Sequence, residues 1–513
     1  MKVRDKLVEL LLLSSVVLAS FVCSSAAECQ KLIKLKLVDT TITLAEPVAA
    51  GTFTPPNSAP IMPGPVSFKD LPAFCRVVAV AKPTSDSEIK FEVWLPETNW
   101  NGRFEGTGNG GWWGVIIYSA LAEGLSRGFA VANTDTGHTS GVMDASWALG
   151  HPEKVVDFAY RAVHEMTVQG KAIVAAYYGK DPSYSYWNGC SSGGKQGLKE
   201  AQKFPDDYNG MVAGAPANYW THLTAATVWD GLLPLKTPQS RIPADKFPMI
   251  HKAAIEACDS IDGIKDGLID DPRKCHFDPK ALQCKDADGT DCLTSAQVET
   301  AEKLYGPATT ESGTKFFPGL EPGSELVWGF LIGGPEPSRI GSDYYTYIIH
   351  KDPHWNPRNM DFDKEVSAAD KFDHGTINAI DPDLSKFKAR GGKLIMYHGW
   401  ADALIASENS INYYDSVVKA MGGEKKTTDF LRLFMVPGMG HCFGGEGPDV
   451  FDALGAVEQW VEKNKAPDSI VASHSTAGKV DRTRPLCVYP DVPKYNGTGS
   501  TDDAANFSCK APD

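Results

Sequence analysis

The pattern of apolar and polar positions alternates along the chain between short strands and longer helices. Strand-like runs occupy 76–81, 88–95, 129–133, 183–187 and 209–214. Helical periodicity occupies 118–127, 155–178 and 195–203. The alternation returns near the end as a strand at 393–397, a helix around 408–421 and a strand at 431–436. Strands that alternate with helices predict an α/β protein with a mostly parallel sheet.

The regular alternation stops between 218 and 391, where proline, glycine, aspartate and tryptophan are frequent and four cysteines lie. We interpret this segment as a lid domain inserted into the α/β fold. The predicted catalytic domain is therefore discontinuous and consists of 28–217 and 392–513. Disulfides within the lid would each add about 2–4 kcal/mol to its stability.

Residues 1–27 have the organisation of a secretory signal peptide. A basic start precedes an apolar run at 10–21, and small residues at 25–27 suit cleavage. The apolar run is too short for a comfortable membrane span, and no later stretch is apolar enough to cross a membrane. We therefore expect a soluble mature protein that is secreted or periplasmic.

The charge of the chain bears on its partners. The 513 residues carry a formal net charge of -14, which argues against nucleic acid or an anionic membrane as the main partner. A small-molecule substrate is the partner that we expect. The sequence leaves the oligomeric state open.

The cysteines indicate disulfide bonds. Of eleven cysteines, Cys23 leaves with the signal peptide, and an even number in an exported chain favours disulfides over metal thiolates. Proximity in the sequence suggests the pairs Cys29–Cys75, Cys258–Cys275, Cys284–Cys292 and Cys487–Cys509, which leaves Cys190 and Cys442. Spacing alone does not prove this connectivity.

A Gly-x-Ser-x-Gly motif, with Gly189, Ser191 and Gly193 in the required places, lies between a predicted strand and a predicted helix. A nucleophilic serine on such a turn has strained backbone geometry, and the flanking glycines allow the strand and the helix to approach each other. The motif and its setting predict Ser191 as a nucleophile.

Two further residues follow in the chain order of an α/β hydrolase, which is serine, acid, histidine. Asp402 comes shortly after the strand at 393–397, and His441 comes shortly after the strand at 431–436. The gap from Ser191 to Asp402 is too long for one helix and one strand, and the inserted lid accounts for it. The predicted fold is an α/β hydrolase with a large lid.

Cysteines stand beside two of these residues, since Cys190 precedes Ser191 and Cys442 follows His441. If Ser191 and His441 share a hydrogen bond, their neighbours are about 3.8 Å away along each chain and can fall within the Cα–Cα reach of a disulfide, about 4.4–6.8 Å. Such a bridge would hold the base in register with the nucleophile.

A glycine-dense loop at 106–111 follows a predicted strand. It could cradle a phosphate, but the dinucleotide-binding spacing is absent. Backbone N–H groups that face an oxyanion are the interpretation that we favour.

These motifs resemble the tannase and feruloyl esterase family. The resemblance rests on Gly189-Cys190-Ser191-Ser192-Gly193-Gly194, on the segment 397–402 and on the segment 436–442, and it extends over nearly the whole mature chain. It implies hydrolysis of aromatic-acid esters: gallates, hydroxycinnamates and, in one branch, mono-(hydroxyethyl) terephthalate. It also implies that Ser191 is the nucleophile, His441 the general base and Asp402 the residue that orients it. The N–H of Ser192, with that of Gly110 or Gly111, would form the oxyanion hole.

The segment between Cys258 and Cys275 holds three carboxylates among glycines, which suits a hard cation such as Ca²⁺. The spacing is not that of an EF-hand, and a solvated acidic turn that binds nothing is the alternative. The resemblance implies a structural calcium ion that fixes the lid. Its ligands would be the side chains of Asp259, Asp262 and Asp266 and the carbonyls of Ile264 and Leu268.

Two sets of neighbouring residues remain ambiguous. His398 lies beside Asp402 but precedes it and has no cysteine neighbour, so we interpret it as a structural histidine. Trp112, Trp113 and Trp400 flank the predicted site and suit either the core or stacking against an aromatic acyl group.

The sequence thus favours an exported serine esterase that acts on phenolic-acid esters. A hydrolase of mono-(hydroxyethyl) terephthalate would need a cation for the distal carboxylate, and nothing places Arg339, Lys351 or Arg358 of the lid in the pocket. A non-catalytic ligand-binding protein on the same scaffold is a second alternative. A peptidase with the same triad is a third.

Overall fold

The computed structural model describes residues 26–56 and 67–512. The chain forms two compact units. The first contains the described residues up to Thr107, with Gly114–Thr139 and Arg161–Ser185. The second contains Gly108–Trp113, Ser140–Tyr160 and the described residues from Tyr186 onward. The predicted signal peptide lies outside the described residues except for its last two positions.

The strands and helices are numbered in chain order. The strands are β1 Thr40–Val48, β2 Phe74–Ala81, β3 Ile89–Pro96, β4 Arg103–Thr107, β5 Ala130–Thr134, β6 Tyr184–Cys190, β7 Gly210–Gly214, β8 Ala308–Thr309, β9 Lys315–Phe317, β10 Lys393–Gly399, β11 Leu431–Val436, β12 Ser469–Thr476, β13 Lys479–Cys487, β14 Val492–Tyr495 and β15 Phe507–Lys510. The α-helices are α1 Tyr118–Ser126, α2 Pro152–Val156, α3 Ala162–Tyr178, α4 Ser192–Lys203, α5 Trp220–Leu232, α6 Phe247–Cys258, α7 Ser295–Tyr305, α8 Gly329–Ile332, α9 Arg339–Asp343, α10 Phe362–Asp373, α11 Ser385–Ala389, α12 Glu408–Ala420, α13 Glu424–Thr428 and α14 Ala453–Lys463.

The first unit is built on strands in the order β1-β2-β3-β5-β4. The first three pairings are antiparallel, and β4 pairs with β5 in parallel. In β2 the odd positions from Val77 to Ala81 are fully buried while those between them are partly exposed, which is the period that a strand with one covered face requires.

The second unit contains four parallel strands in the order β6-β7-β10-β11. β7 is buried along its whole length, as expected for a parallel strand covered by helices on both faces. The register aligns Cys190 with Gly214 and Gly399 with Val436. The carboxyl ends of these strands therefore share one edge, which is where open parallel sheets bind ligands.

The segment 218–391 belongs to the second unit and contains α5 to α11 and the short pair β8–β9. Two hydrophobic clusters include residues of this segment, one around Trp220 and Tyr344 and one around Ile250 and Trp328. The second unit contains this segment together with β7 and β10, the strands on either side of it in the sequence. The lid limits at 218 and 391 therefore stay a prediction.

All five predicted disulfides are present: Cys29–Cys75, Cys190–Cys442, Cys258–Cys275, Cys284–Cys292 and Cys487–Cys509. Within the described residues, no helix has both the length and the apolar character that a membrane span needs.

Candidate active site

Ser191 lies on the sharp turn between β6 and α4, at φ 63° and ψ -123°. Positive φ is unfavourable for a residue with a Cβ, so the surrounding structure must hold this conformation. A Cβ on Gly189 would lie 2.6 Å from the carbonyl oxygen of Gly193, and a Cβ on Gly194 would lie 2.3 Å from that of Gly214. The glycines are therefore required for the strand and the helix to approach each other.

The helix after this turn begins earlier than predicted. We expected it to begin at 195, but α4 begins at Ser192. Serine and two glycines are weak helix formers, so the sequence pattern does not reveal the first turn. Ser192 is therefore the first helical residue, and its N–H has no intrahelical acceptor.

Asp402 and His441 meet at the carboxyl ends of β10 and β11. The Nδ1 of His441 lies 2.6 Å from Oδ2 of Asp402, and Asp402 is fully buried. Because a carboxylate only accepts, Nδ1 is the donor, which leaves Nε2 as the ring nitrogen that can take up a proton from a nucleophile.

Four donors satisfy the Asp402 carboxylate. Its Oδ1 accepts the N–H groups of Leu404 and Ile405 at 2.8 and 3.0 Å. Burial alone would raise the pKa of Asp402, but the charges and hydrogen bonds of His441 and His398 outweigh it and hold that pKa well below its usual value. Asp402 is therefore ionised throughout the pH range in which an esterase operates.

His398 is the second histidine on this carboxylate. Its Nε2 lies 3.0 Å from both Asp402 Oδ2 and the carbonyl oxygen of Ile405, and its Nδ1 lies 2.7 Å from Ser410 Oγ. The side chain is fully buried, and both ring nitrogens are engaged. These contacts favour the structural interpretation of His398.

The Cys190–Cys442 disulfide joins the residue before Ser191 to the residue after His441, with a Cα–Cα distance of 6.0 Å. Cys442 has a φ of 68°, so the loop that carries His441 turns sharply at the disulfide-bonded residue. The disulfide joins the Ser191 turn to the loop of His441, and His441 in turn is bound to Asp402.

The loop 108–113 packs directly against the serine turn. The N–H of Gly193 donates to Asn109 O at 2.7 Å, and the Ser192 hydroxyl donates to Gly111 O at 2.9 Å. Within the described residues, the N–H groups of Ser192, Gly110 and Gly111 donate to no acceptor. The sequence predicted these three N–H groups as oxyanion donors without distinguishing between the two glycines, and that assignment stays a prediction.

A cavity of about 310 Å³ opens beside His441. Its wall is mainly apolar and includes Leu268, Phe330, Leu404, Phe443 and Trp400. Its polar lining residues include His251, Ser324 and Glu446. Such a cavity matches the size and character of a small-molecule site with an apolar ligand.

The three tryptophans flanking the site differ in their surroundings. Trp400 lines the cavity. Trp112 is fully buried in the hydrophobic cluster around Trp220, and its Nε1 donates to Ile340 O at 3.0 Å. Trp112 is thus a core residue, and no cavity wall described here includes Trp113.

Lysine and arginine are absent from the described residues that line this cavity. Arg339 pairs with Asp343 at 2.8 Å, and Arg358 pairs with Glu336 at 2.9 Å. Lys351 lies over the ring of Phe372. The three lid cations that the sequence left unplaced therefore lie elsewhere.

The acidic loop after α6 folds around its own backbone. Asp259 Oδ1 accepts the N–H groups of Asp266 and Gly267, both at 3.0 Å. Asp262 Oδ1 accepts the N–H of Ile264 at 3.1 Å. Gly263 and Gly267 have φ of 94° and 82°, a conformation that favours glycine.

A fourth acid, Asp270, joins this loop. Its buried Oδ2 has no hydrogen-bond partner within the described residues, and it lines a cavity of about 90 Å³ with Asp262. An orphaned carboxylate oxygen next to a second carboxylate fits a hard cation, which takes oxygen ligands. Arg484 binds Asp266, however, so part of that carboxylate is already engaged. Asp270 was not among the predicted ligands, because it lies beyond the spacing that carried the resemblance.

Known esterases are similar to this chain over most of its length. The family model for tannase and feruloyl esterase matches residues 75–510. An uncharacterized esterase of Xanthomonas campestris pv. campestris is 38% identical over 95% of this chain and 92% of its own length. A probable feruloyl esterase B-2 of Aspergillus fumigatus is 34% identical over 93% of this chain and 94% of its own length.

A solved structure extends the likeness to three dimensions. The crystal structure of feruloyl esterase B from Aspergillus oryzae matches with a TM-score of 0.87 and 32% identity, over 95% of this chain and all of that one. The predicted α/β-hydrolase fold is thereby confirmed. The chain belongs to the tannase and feruloyl esterase family of carboxylic ester hydrolases.

Proposed function

We propose that the protein is an exported serine esterase that cleaves phenolic-acid esters, such as ferulates or gallates, through an acyl-enzyme. The observation that carries the proposal is the fully buried Asp402 bound to His441, whose loop is joined by a disulfide to the Ser191 turn. Five disulfides favour an oxidising compartment, secreted or periplasmic.

In the proposed reaction, Ser191 Oγ attacks the ester carbonyl while His441 Nε2 accepts the hydroxyl proton. The developing oxyanion accepts the N–H of Ser192 and that of Gly110 or Gly111, and removal of one such donor typically costs about 10²–10³ in rate. Collapse of the intermediate breaks the ester C–O bond, and His441 returns the proton to the departing alcohol. Water then repeats the sequence on the acyl-enzyme and releases the acid.

The cavity beside His441 supports an uncharged aromatic acyl group. A terephthalate monoester would bring a carboxylate into an apolar site, and a buried charge without a partner is costly. The cavity wall offers Glu446 and no lysine or arginine within the described residues. A phenolic ring would bring an uncharged hydroxyl, which can donate a hydrogen bond, in place of that carboxylate.

A panel of methyl ferulate, methyl gallate and mono-(hydroxyethyl) terephthalate tests the acyl preference. We expect kcat/KM to be at least about tenfold higher for one of the phenolic esters, since an unpaired carboxylate costs 1.4 kcal/mol or more. A preference for the terephthalate would overturn the phenolic choice and leave the esterase intact. No turnover of any ester by folded protein would favour the ligand-binding alternative.

We also propose that the acidic loop holds a structural Ca²⁺. Asp259, Asp262 and Asp266 would give side chains, and Ile264 and Leu268 would give carbonyls. Asp270 is a further candidate ligand on the basis of its orphaned oxygen. The ion would neutralise the gathered carboxylates and fix the loop, whose Leu268 lines the cavity beside His441.

Removal of calcium should lower the melting temperature before it affects the chemistry. A ligand that binds only the folded state at a hundredfold excess over its Kd adds about 2.7 kcal/mol to stability. Calorimetry with and without chelator measures the change, and Asp262→Asn should abolish the calcium-dependent part of it. Asp286→Asn, at an exposed acid of the same segment, should not. An unchanged melting temperature in chelator, with no metal in elemental analysis, would refute the site.

A further inference from the structure

The loop that carries His441 folds back on itself. We call residues 437–446 the histidine loop. Met439 pairs with Gly445 across it, and the N–H of Gly440 donates to Gly444 O at 2.8 Å. The N–H of Glu446 donates to Gly438 O at 3.1 Å. Glu446 therefore lies at the base of the loop, where a contact can set the direction of the whole loop.

The Glu446 side chain contacts a histidine of the inserted segment. His251, on α6, lies with Nε2 at 2.7 Å from Glu446 Oε2 and with Nδ1 at 2.8 Å from Glu325 Oε2. We call His251, Glu325 and Glu446 the latch. Two ionised carboxylates can only accept, so both ring nitrogens donate and the imidazole carries a positive charge.

The Glu325 side chain is fully buried and accepts hydrogen bonds from two further groups. Its Oε1 accepts the Tyr305 hydroxyl at 2.6 Å, and its two oxygens lie 2.9 and 3.0 Å from the N–H of Gly323. The Glu446 side chain is 54% exposed and has no such support. Glu325 is therefore the anchor of the latch, and Glu446 is the group that is held.

A second contact joins the same two parts of the chain. A Cβ on Gly438 would lie 2.7 Å from Leu268 Cδ2, so Leu268 packs directly on the backbone of the histidine loop. Leu268 and His251 both line the cavity beside His441. The inserted segment thus supports the histidine loop with one apolar contact and one charged contact.

From this geometry we propose that His251 is a positioning residue for the esterase reaction, which it serves by fastening the histidine loop to the inserted segment through Glu446. The proposal rests on the serine-esterase function proposed above. The disulfide restrains the loop at Cys442, and the latch restrains it at its base. With both restraints, the imidazole of His441 has little freedom to turn away from Ser191.

The charged groups around His251 determine the pH range in which the latch stays intact. Burial opposes its charge, but Glu325 and Glu446 outweigh burial and raise the pKa of His251 to about 9. The Tyr305 hydroxyl contacts His251 only indirectly, by donating to Glu325. On the other side, His251 lowers the pKa of Glu446, with smaller contributions from Arg482 and His474. Because the folded-state pKa is raised, the latch is intact at neutral pH and is lost as pH rises through about 9.

Glu446→Ala cuts the latch on its exposed side and leaves Glu325 paired with His251. The measurement is the second-order rate constant for labelling of Ser191 by a small fluorophosphonate, which reports base positioning without filling the cavity. At pH 7 we expect this rate constant to be about tenfold lower than in the wild type, with labelling still going to completion. The control is Glu256→Ala, which removes an exposed acid from α6, the helix that carries His251, and which should label at the wild-type rate.

Two further readouts separate positioning from a general loss of stability. The labelling rate of the wild type should fall above pH 9, and that decline should be absent in Glu446→Ala. In a His251→Gln background, Glu446→Ala should cause no further loss, because the latch is already open. A wild-type labelling rate in Glu446→Ala, or additive losses in the double variant, would overturn the latch alone. No label on the wild-type protein would overturn the esterase proposal together with the latch.

Discussion

Ser191→Ala should lower kcat for ester hydrolysis by a factor on the order of 10⁶, because triad residues act as a unit and the remaining rate comes from the oxyanion donors and substrate binding. The effect should be confined to the chemistry. Alanine removes a hydroxyl from a residue that is only partly buried, so the melting temperature should change little. Initial rates at saturating substrate, with enzyme in large excess over any contaminant, measure the loss.

Ser192→Ala is the matched control for that variant. Its hydroxyl donates to Gly111 O at 2.9 Å, whereas its proposed role uses the backbone N–H, which alanine retains. We expect a loss of tenfold or less, about the value of one neutral hydrogen bond. If Ser191→Ala retained most of the activity while Ser192→Ala abolished it, the nucleophile would be the neighbouring serine.

The sequence predicted the parts of this site in which local geometry dictates residue type. The close approach of Gly189 to Gly193 leaves no room for a Cβ, so the glycines that mark the serine turn are visible without a structure. The order of serine, acid and histidine follows from the sequence of parallel strands. These are constraints on short segments, and a short segment is what a sequence pattern records.

Contacts between distant segments were much harder to predict. His251 meets Glu325 and Glu446, which are 74 and 195 residues away, and none of the three belongs to a motif. The Cys190–Cys442 disulfide, with a separation of 252 residues, was predicted because the nearer pairs left these two cysteines over and because they adjoin two predicted catalytic residues. The other four pairs are 8 to 46 residues apart, so proximity in the sequence sufficed.

The inserted segment shows a third kind of limit. Four of its helices have no clear period: α5 is buried around much of its circumference, and α8, α9 and α11 have four or five residues each. A helix without a polar face has no amphipathic pattern to detect. This segment forms much of the cavity wall, so the acyl preference is the property that the sequence defines least.

His441→Ala should also lower kcat by a factor on the order of 10⁶, since loss of the base alone costs about as much as loss of the whole triad. His398→Ala, the paired variant, removes the other histidine on the same carboxylate oxygen. Asp402 would keep three of its four donors, so we expect kcat to fall only about tenfold, equivalent to one hydrogen bond. The larger cost should be to stability, since Ser410 Oγ and Ile405 O would lose a buried partner, at about 1–3 kcal/mol each.

The two variants should therefore differ in opposite ways: His441→Ala should mainly lose activity, and His398→Ala should mainly lose stability. His441→Ala should be inactive and should melt only slightly earlier than the wild type, because it removes one of the four donors of buried Asp402 and no other hydrogen bond of the described residues. His398→Ala should be active at low temperature and melt several degrees earlier. Thermal melts and kcat measured on the same preparations test both, with folding verified at the assay temperature. Activity retained in His441→Ala and abolished in folded His398→Ala would reverse the assignment of the base, because only a histidine that exchanges a proton with Ser191 is indispensable to the chemistry.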